Sequence, residues 1–468
     1  MLVVFVHGWS VTNTDTYGSL PAELSKNAPA GLEMETAHLY LGKYVSFADE
    51  VNLDDIARGM QQAVESEILP KLRAGEKFAC ITHSTGGPVV RKWVDLFFKD
   101  DLSNCPLGHL VMLAPANHGS ALAQLGKGRL SRMKFFMEGV QPGTGVLNWL
   151  ELGSDQSWKL NSAWLEYECM DAGLYVFVLT GQTIDHSFYD HLNSYTGEAG
   201  SDGVVRVAAA NMNYGLIRLV QQDGGLLLAK AGQSARYAFG ILPGRSHSGD
   251  SIGIMRSVKE GSGLSHPTVK WALDCLAVTD GESYQTVADE LDALTRQTQM
   301  EERKRTATDL FLFSREFETH RYCMFVFRIM DDRGNELADY DIIFTAGPQY
   351  SESHLPPGFF VDRQRNQINP GKLTYYMDYD IMADWFKKPE VGDKFGFKIA
   401  ARPAAGYSFY TVAEHCGTFS ELGSFFEPNR TLMVEVSLRR RVMEGVFRLT
   451  QNLSPEDFKD QPKGAELP

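Results

Sequence analysis

The stretch Phe78-Ala79-Cys80-Ile81-Thr82-His83-Ser84-Thr85-Gly86-Gly87-Pro88 carries the decisive pattern. An apolar, β-prone run enters a turn of small residues around one serine, and the chain then continues in a helical pattern from Pro88 to Phe98. A strand that turns this sharply into a helix needs small side chains beside the serine. It leaves the serine Oγ exposed at the strand end, with the next N–H facing any oxyanion that develops there. The pattern is G-x-S-x-G with Thr82 standing in place of the first glycine and Gly86 in the last position. Strands, turns and helices rich in Ser and Gly are common, so the reading depends on the surrounding sequence.

Around this motif the first 278 residues alternate short apolar runs with helical patterns, as a mostly parallel α/β sheet does. Residues Leu2 to Val6, Phe78 to Thr82, His109 to Ala114 and Tyr175 to Thr180 read as strands. Leu53 to Leu72 reads as a helix with Leu53, Ile56, Met60, Val64 and Ile68 on one face. Residues 120–171 interrupt the alternation and are expected to form a lid or cap insertion. Within them Leu130, Met133, Met137 and Val140 share a helical face, which suits an interfacial helix or, equally, an amphipathic helix covering the core. Residues 279–306 turn polar and read as a helical linker, and residues 307–468 carry strand patterns separated by turn signals such as Asp332-Arg333-Gly334-Asn335. A β-rich, sandwich-like C-terminal domain is expected there, with no catalytic constellation.

Three further strings accompany the serine. Val3-Val4-Phe5-Val6-His7-Gly8-Trp9 is a strand ending in His-Gly before a loop. Ser201-Asp202-Gly203-Val204-Val205 offers a carboxylate after the serine, in competition with Asp185, which like Asp190 suits a solvated loop position. Pro243-Gly244-Arg245-Ser246-His247-Ser248-Gly249-Asp250 offers a histidine in a small-residue loop after a strand-like region, with His266 in Ser265-His266-Pro267 as its rival. His266 directly precedes a helix, a position that suits a capping role. A serine, an acid and a base in the order Ser84, Asp202, His247 differ from the chymotrypsin and subtilisin orders and match the order of α/β-hydrolases.

On these strings, residues 1–278 resemble the lipase and phospholipase branch of the α/β-hydrolase superfamily. They are similar to bacterial phospholipases, including lipase effectors of type VI secretion, and to GPI inositol deacylases. The segment Leu113-Ala114-Pro115-Ala116-Asn117-His118-Gly119-Ser120 looks like a lipase string to which no catalytic role attaches. The resemblance implies a serine ester hydrolase with Ser84 as nucleophile, His247 as base and Asp202 as the acid that orients it. It also implies an oxyanion hole from the backbone N–H groups of Trp9 and Thr85, and chemistry that requires no metal or organic cofactor. The implied substrate is a lipid or other acyl ester; a soluble esterase or thioesterase acting on smaller acyl groups, and a binding protein on a degenerate hydrolase domain, are the competing readings. Trp9, Phe135, Phe136 and Trp149 are candidates for an acyl pocket and equally for core.

Bulk properties bound the partners. A net charge of −14 argues against nucleic acid. The 120–171 insertion is a candidate membrane-contact surface and the C-terminal domain a candidate protein-docking one. Six scattered cysteines with no C-x-x-C pair read as mostly free thiols, which fits a reducing compartment. Met1 to Val6 reads as a strand with no basic leader before it, and no run reaches the roughly 20 apolar residues of a membrane span, so a chain cytoplasmic as synthesised is expected, with any export by a non-classical route.

Overall fold

The computed structural model describes residues 1–6, 14–40, 51–128, 144–184, 198–223, 225–302, 305–308, 314–317, 320–423, 425–447, 449 and 451. In the first half, β1 (Leu2–Val6), β2 (Glu35–Leu39), β3 (Phe78–His83), β4 (Leu107–Leu113) and β5 (Tyr175–Thr180) precede a hairpin, β6 (Gly215–Gln222) and β7 (Gly225–Gln233), and then β8 (Ala238–Ile241). Six of these form one parallel sheet in the order β2-β1-β3-β4-β5-β8, the α/β-hydrolase sheet expected from the sequence. Its central strands are buried on both faces and are accordingly mostly apolar rather than alternating: all seven residues of β4 are buried, whereas the edge strand β2 has no buried residue.

Helices cover both faces. The helix Leu53–Ala63 starts at an Asn52/Asp55 capping box and buries Leu53, Ile56, Ala57 and Met60. It continues through a π-helical stretch, Val64–Ile68, and a 3-10 turn, Leu69–Lys71, so the expected apolar face through Val64 and Ile68 is kept while the helical pitch is not. Pro70, which has no N–H to donate, lies in that final turn. Within the expected insertion, Thr144–Leu150 and Asp155–Trp164 are helices packed into the main core, with Trp149 fully buried there. Leu130, Met133, Phe135, Phe136, Met137 and Val140 lie outside the described residues. The polar stretch after 278 forms the helix Gly281–Glu302, whose Tyr284, Ala288 and Leu291 pack onto the sheet.

Downstream, β9 (Arg305–Thr308) and β10 (Ser314–Phe317) form a small ribbon. They are followed by β11 (Tyr322–Asp331), β12 (Tyr340–Ala346), β13 (Phe360–Arg365), β14 (Lys372–Asp378), β15 (Lys394–Ala401), β16 (Ser408–Phe409), β17 (Ala413–Thr418) and β18 (Thr431–Leu438). The region is β-rich, as expected, in two packed sheets, β13-β14-β11-β18-β6-β7 and β12-β15-β17. Aromatic rings fill the space between them: Phe327 lies 6.0 Å from Phe344 and 5.3 Å from Phe397, both in edge-to-face contact.

The larger sheet crosses the division expected at residue 278. The hairpin β6–β7, from the first half, joins it through parallel pairing of β6 with β18. The period-two alternation of a strand shows why. On β11, Cys323, Phe325, Phe327 and Ile329 face the β-domain core, whereas Met324 and Val326 face the hydrolase core. On β14, Leu373, Tyr375 and Met377 divide from Tyr376 in the same way. Along β14, β11 and β18 the sheet is therefore a middle layer buried on both sides. At the shared face Lys372, fully buried, pairs with Asp155 at 3.1 Å and Glu336 at 2.7 Å. All six cysteines are free, five of them buried and Cys416 exposed. Among the described residues no helix is long and apolar enough to cross a membrane.

Candidate active site

Ser84 sits at the carboxyl end of β3 with φ at 53°, in the left-handed region. A non-glycine residue held there costs roughly 1–2 kcal/mol, so the surrounding bonds must impose it. They do: Ser84 N–H donates to the carbonyl of Leu113 at 3.0 Å, and the Ser84 carbonyl accepts from Gly87 N–H at 3.3 Å and Ala116 N–H at 3.4 Å. Thr85 is the N-cap of the helix Gly86–Phe98, which puts its N–H at the positive end of that helix. The departure at Thr82 has a local explanation. A Cβ on Gly86 would lie 3.3 Å from the Thr82 Cβ, so across the turn only one of the two positions needs to lack a side chain.

The acid lies in the long segment between β5 and β6, and the base beyond β8. His247 lies in the loop after β8, and its Nε2 is 3.1 Å from Ser84 Oγ. His247 Nδ1 is 2.9 Å from Asp202 Oδ2, and both side chains are buried. The backbone locks the pair, since His247 N–H donates to the carbonyl of Asp202 at 2.9 Å. The other carboxylate oxygen of Asp202 accepts from the N–H groups of Val204 at 3.0 Å and Val205 at 2.8 Å. The loop carrying His247 also presses on the end of β5: a Cβ on Gly181 would lie 1.9 Å from the Arg245 carbonyl oxygen, an approach only glycine permits.

Of the three residues the sequence singles out, His247 thus lies within hydrogen-bond reach of both Ser84 and Asp202. His266 is not among them. Its Nδ1 accepts from Thr268 N–H at 3.2 Å as the N-cap of the helix Pro267–Leu276, and its Nε2 is 2.9 Å from Ser257 Oγ. Burial, then Arg245, pushes its pKa down to about 4. Asp185, Asp190, Trp9 and the rest of the His7-Gly8-Trp9 loop lie outside the described residues.

Two histidines near the site were given no site role from sequence. His83, beside the serine, packs against His247 with the rings tilted and their centroids 4.7 Å apart, and its Nε2 is 3.0 Å from the His247 carbonyl oxygen. Burial, reinforced by His247, pushes the His83 pKa well below its ordinary value, so the ring is neutral. His118 packs edge-on against Tyr214 at 4.7 Å, beside a buried network in which Arg91 donates to Asn117 at 3.1 Å and to Asn161 at 2.9 Å. That network explains the polar Ala116-Asn117-His118 string without chemistry: it ties the helix that follows Ser84 to the helix Asp155–Trp164. Among the described residues no cluster of three or more His, Cys, Asp or Glu side chains is placed to hold a metal ion.

Compared with solved structures, the chain matches phospholipase PlaB from Legionella pneumophila at 53% identity and a TM-score of 0.90, over 99% of this chain and 98% of that one. The PlaB structure in complex with thio-NAD matches at 52% identity and a TM-score of 0.89, over 98% of each chain. The chain belongs to the PlaB phospholipase family. It is an ester-hydrolysing enzyme of the lipase and phospholipase branch of the α/β-hydrolases. Mature lipase BlEst2 of Bacillus licheniformis is far more distant from it than PlaB, at 16% identity and a TM-score of 0.33 over 45% of this chain and 78% of that one. No family model matches the chain, and no curated protein matches it. Likeness to PlaB extends over the accessory sheet as well as the hydrolase half, so the two-sided sheet belongs to the family's architecture and not only to this chain.

Proposed function

We propose that the protein hydrolyses the fatty-acyl esters of phospholipids through a covalent intermediate on Ser84. The observation that carries the reading is the continuous relay from Ser84 Oγ to His247 Nε2 at 3.1 Å and from His247 Nδ1 to Asp202 at 2.9 Å, on a serine held at positive φ. Membership of the PlaB phospholipase family supports the substrate class.

In this mechanism His247 takes the Ser84 proton as Oγ attacks the ester carbonyl carbon. Asp202 keeps the imidazole oriented and stabilises the imidazolium that forms. The oxyanion is held by Thr85 N–H and, on the lipase resemblance, by Trp9 N–H. The tetrahedral intermediate collapses as His247 returns the proton to the departing alcohol, a lysophospholipid, and leaves an acyl ester on Ser84. Water, deprotonated by His247, then releases the fatty acid and restores the serine.

The test is incubation of the protein and of Ser84→Ala with a total bacterial lipid extract, with products identified by mass spectrometry. Fatty acid and lysophospholipid formed only by the unsubstituted protein are the expected result. Labelling of Ser84 by a fluorophosphonate without turnover of any lipid would move the substrate to a smaller soluble ester. Lipid turnover by Ser84→Ala would remove the serine mechanism.

A further inference from the structure

The short hairpin that carries Asp202 is gripped from outside by the accessory sheet. Within it, Ser201 bridges to Arg206 and Val207 N–H donates to the Gly200 carbonyl at 2.9 Å, so residues 200–207 close on themselves. This closure gives the turn its shape, and the His247 N–H bond to the Asp202 carbonyl ties it directly to the base. Three side chains hold the turn from its other sides. Ser120 Oγ donates to the Val204 carbonyl at 2.6 Å from the hydrolase side. Tyr376 of β14 donates its hydroxyl to the carbonyls of Ala199 at 2.9 Å and Gly200 at 3.1 Å.

Arg206 is the third, and it is almost wholly buried. It makes two hydrogen bonds to Glu198, at 2.8 Å from Nε and 2.7 Å from Nη2, and that same Nη2 also pairs with Asp362 of β13. The guanidinium lies 4.2 Å from the centroid of the Tyr376 ring. Burial works against its charge, but the Glu198 and Asp362 carboxylates outweigh that and hold the group firmly protonated. Arg206 directly follows Val205, whose N–H holds Asp202 Oδ1 at 2.8 Å. A shift of the guanidinium is therefore passed to the carboxylate through one residue.

We propose that Asp362 and Tyr376, residues of the accessory sheet, are positioning residues for the reaction: through Arg206 and the 199–200 carbonyls they hold Asp202 at hydrogen-bond distance from His247. This rests on the reading of Asp202 as the triad acid. Neither residue touches the reacting atoms. A displacement of about 1 Å at a catalytic group costs up to roughly a hundredfold in rate, which is the lever such a clamp acts on.

The test uses the full chain and a soluble p-nitrophenyl butyrate substrate, with kcat and KM resolved separately and urea unfolding run on each variant. Asp362→Ala and Tyr376→Phe are compared with Asp155→Asn, which weakens the Lys372 pairing across the same interface without touching the 198–207 hairpin. Expected is a fall in kcat of at least about tenfold in both clamp variants with KM within about twofold, while Asp155→Asn keeps its kcat. If Asp362→Ala does not fold, Tyr376→Phe, which loses only a hydroxyl, decides alone. A folded clamp variant that keeps kcat within about threefold while Asp202→Asn is inactive overturns the proposal. So does an equal loss in Asp155→Asn, which would reduce the effect to general weakening of the interface. Full activity in Asp202→Asn would instead overturn the triad reading beneath it.

Discussion

The rings of His83 and His247 pack at a tilt with centroids 4.7 Å apart, and the ring of the first reaches the backbone carbonyl of the second. The residue preceding the nucleophile therefore braces the loop that bears the base. A carbonyl oxygen can only accept, so Nε2 carries the hydrogen in that contact, and burial disfavours a further proton on the ring. Replacing it by Phe keeps most of the packing and removes the donor. We expect kcat on a soluble ester to fall about tenfold with KM little changed. His83→Gln, which can place an amide N–H in the same direction, should recover part of the loss. Equal kcat in His83→Phe and the unsubstituted protein would assign the contact to packing alone.

The positive φ of Ser84 has a thermodynamic signature. Glycine occupies that region without a Cβ penalty, so Ser84→Gly should be more stable than Ser84→Ala by about 1 kcal/mol, with both inactive. Parallel urea titrations of the two variants measure the difference directly. A Ser84→Ala protein at least as stable as Ser84→Gly would mean that the turn relaxes out of the left-handed region once the serine is gone.

Gly181 tests how far the His247 loop depends on the end of β5. Alanine there would put its Cβ 1.9 Å from the Arg245 carbonyl oxygen, a collision with backbone that no rotamer relieves. The loop must move, and His247 lies two residues further on. Activity should drop by up to roughly a hundredfold, with a smaller effect on the reactivity of the exposed Cys416 thiol than on fluorophosphonate labelling of Ser84.

Acid stability follows from the buried histidines. Burial, and secondarily Arg91, pushes the His118 pKa from 6.5 down to about 3. Between these values the unfolded chain binds a proton that the folded chain does not. The contribution is complete above pH 6.5 and is lost progressively as the pH falls toward 3. His118→Phe should show a shallower fall in unfolding free energy across that window, by about one proton's worth of slope, read from urea titrations at successive pH values. An unchanged slope would place the acid sensitivity elsewhere, for instance at His266.

The sequence reached the hydrolase half well because its signals are local. Apolar runs ending at Ser84 and an N-capping His266 before Pro267 depend on neighbours within a few residues. The order Ser84, Asp202, His247 needed only the succession of strands. What escaped was contact made over long sequence distances. Asp223-Gly224-Gly225 between two β-prone runs is a hairpin signal that could have revealed β6 and β7, but nothing in it names β18 as the partner. Arg206 and Asp362 are 156 residues apart, and each by itself reads as an ordinary charged residue. The two-faced burial of β11 was hidden for a related reason: a strand buried on both sides reads as a plain apolar run, whichever cores it separates.

The insertion of β6 between β7 and β18 has a consequence during translation. Asn211, just ahead of β6, donates to the carbonyl of Asn429, which emerges from the ribosome 218 residues later. At about 5–20 residues per second the hairpin waits on the order of 10 to 40 s for its parallel neighbour. Throughout that interval the segment between the acid and the base hangs without its sheet. A nascent chain would therefore hold every residue of the relay well before β18 arrives to complete the sheet beside them.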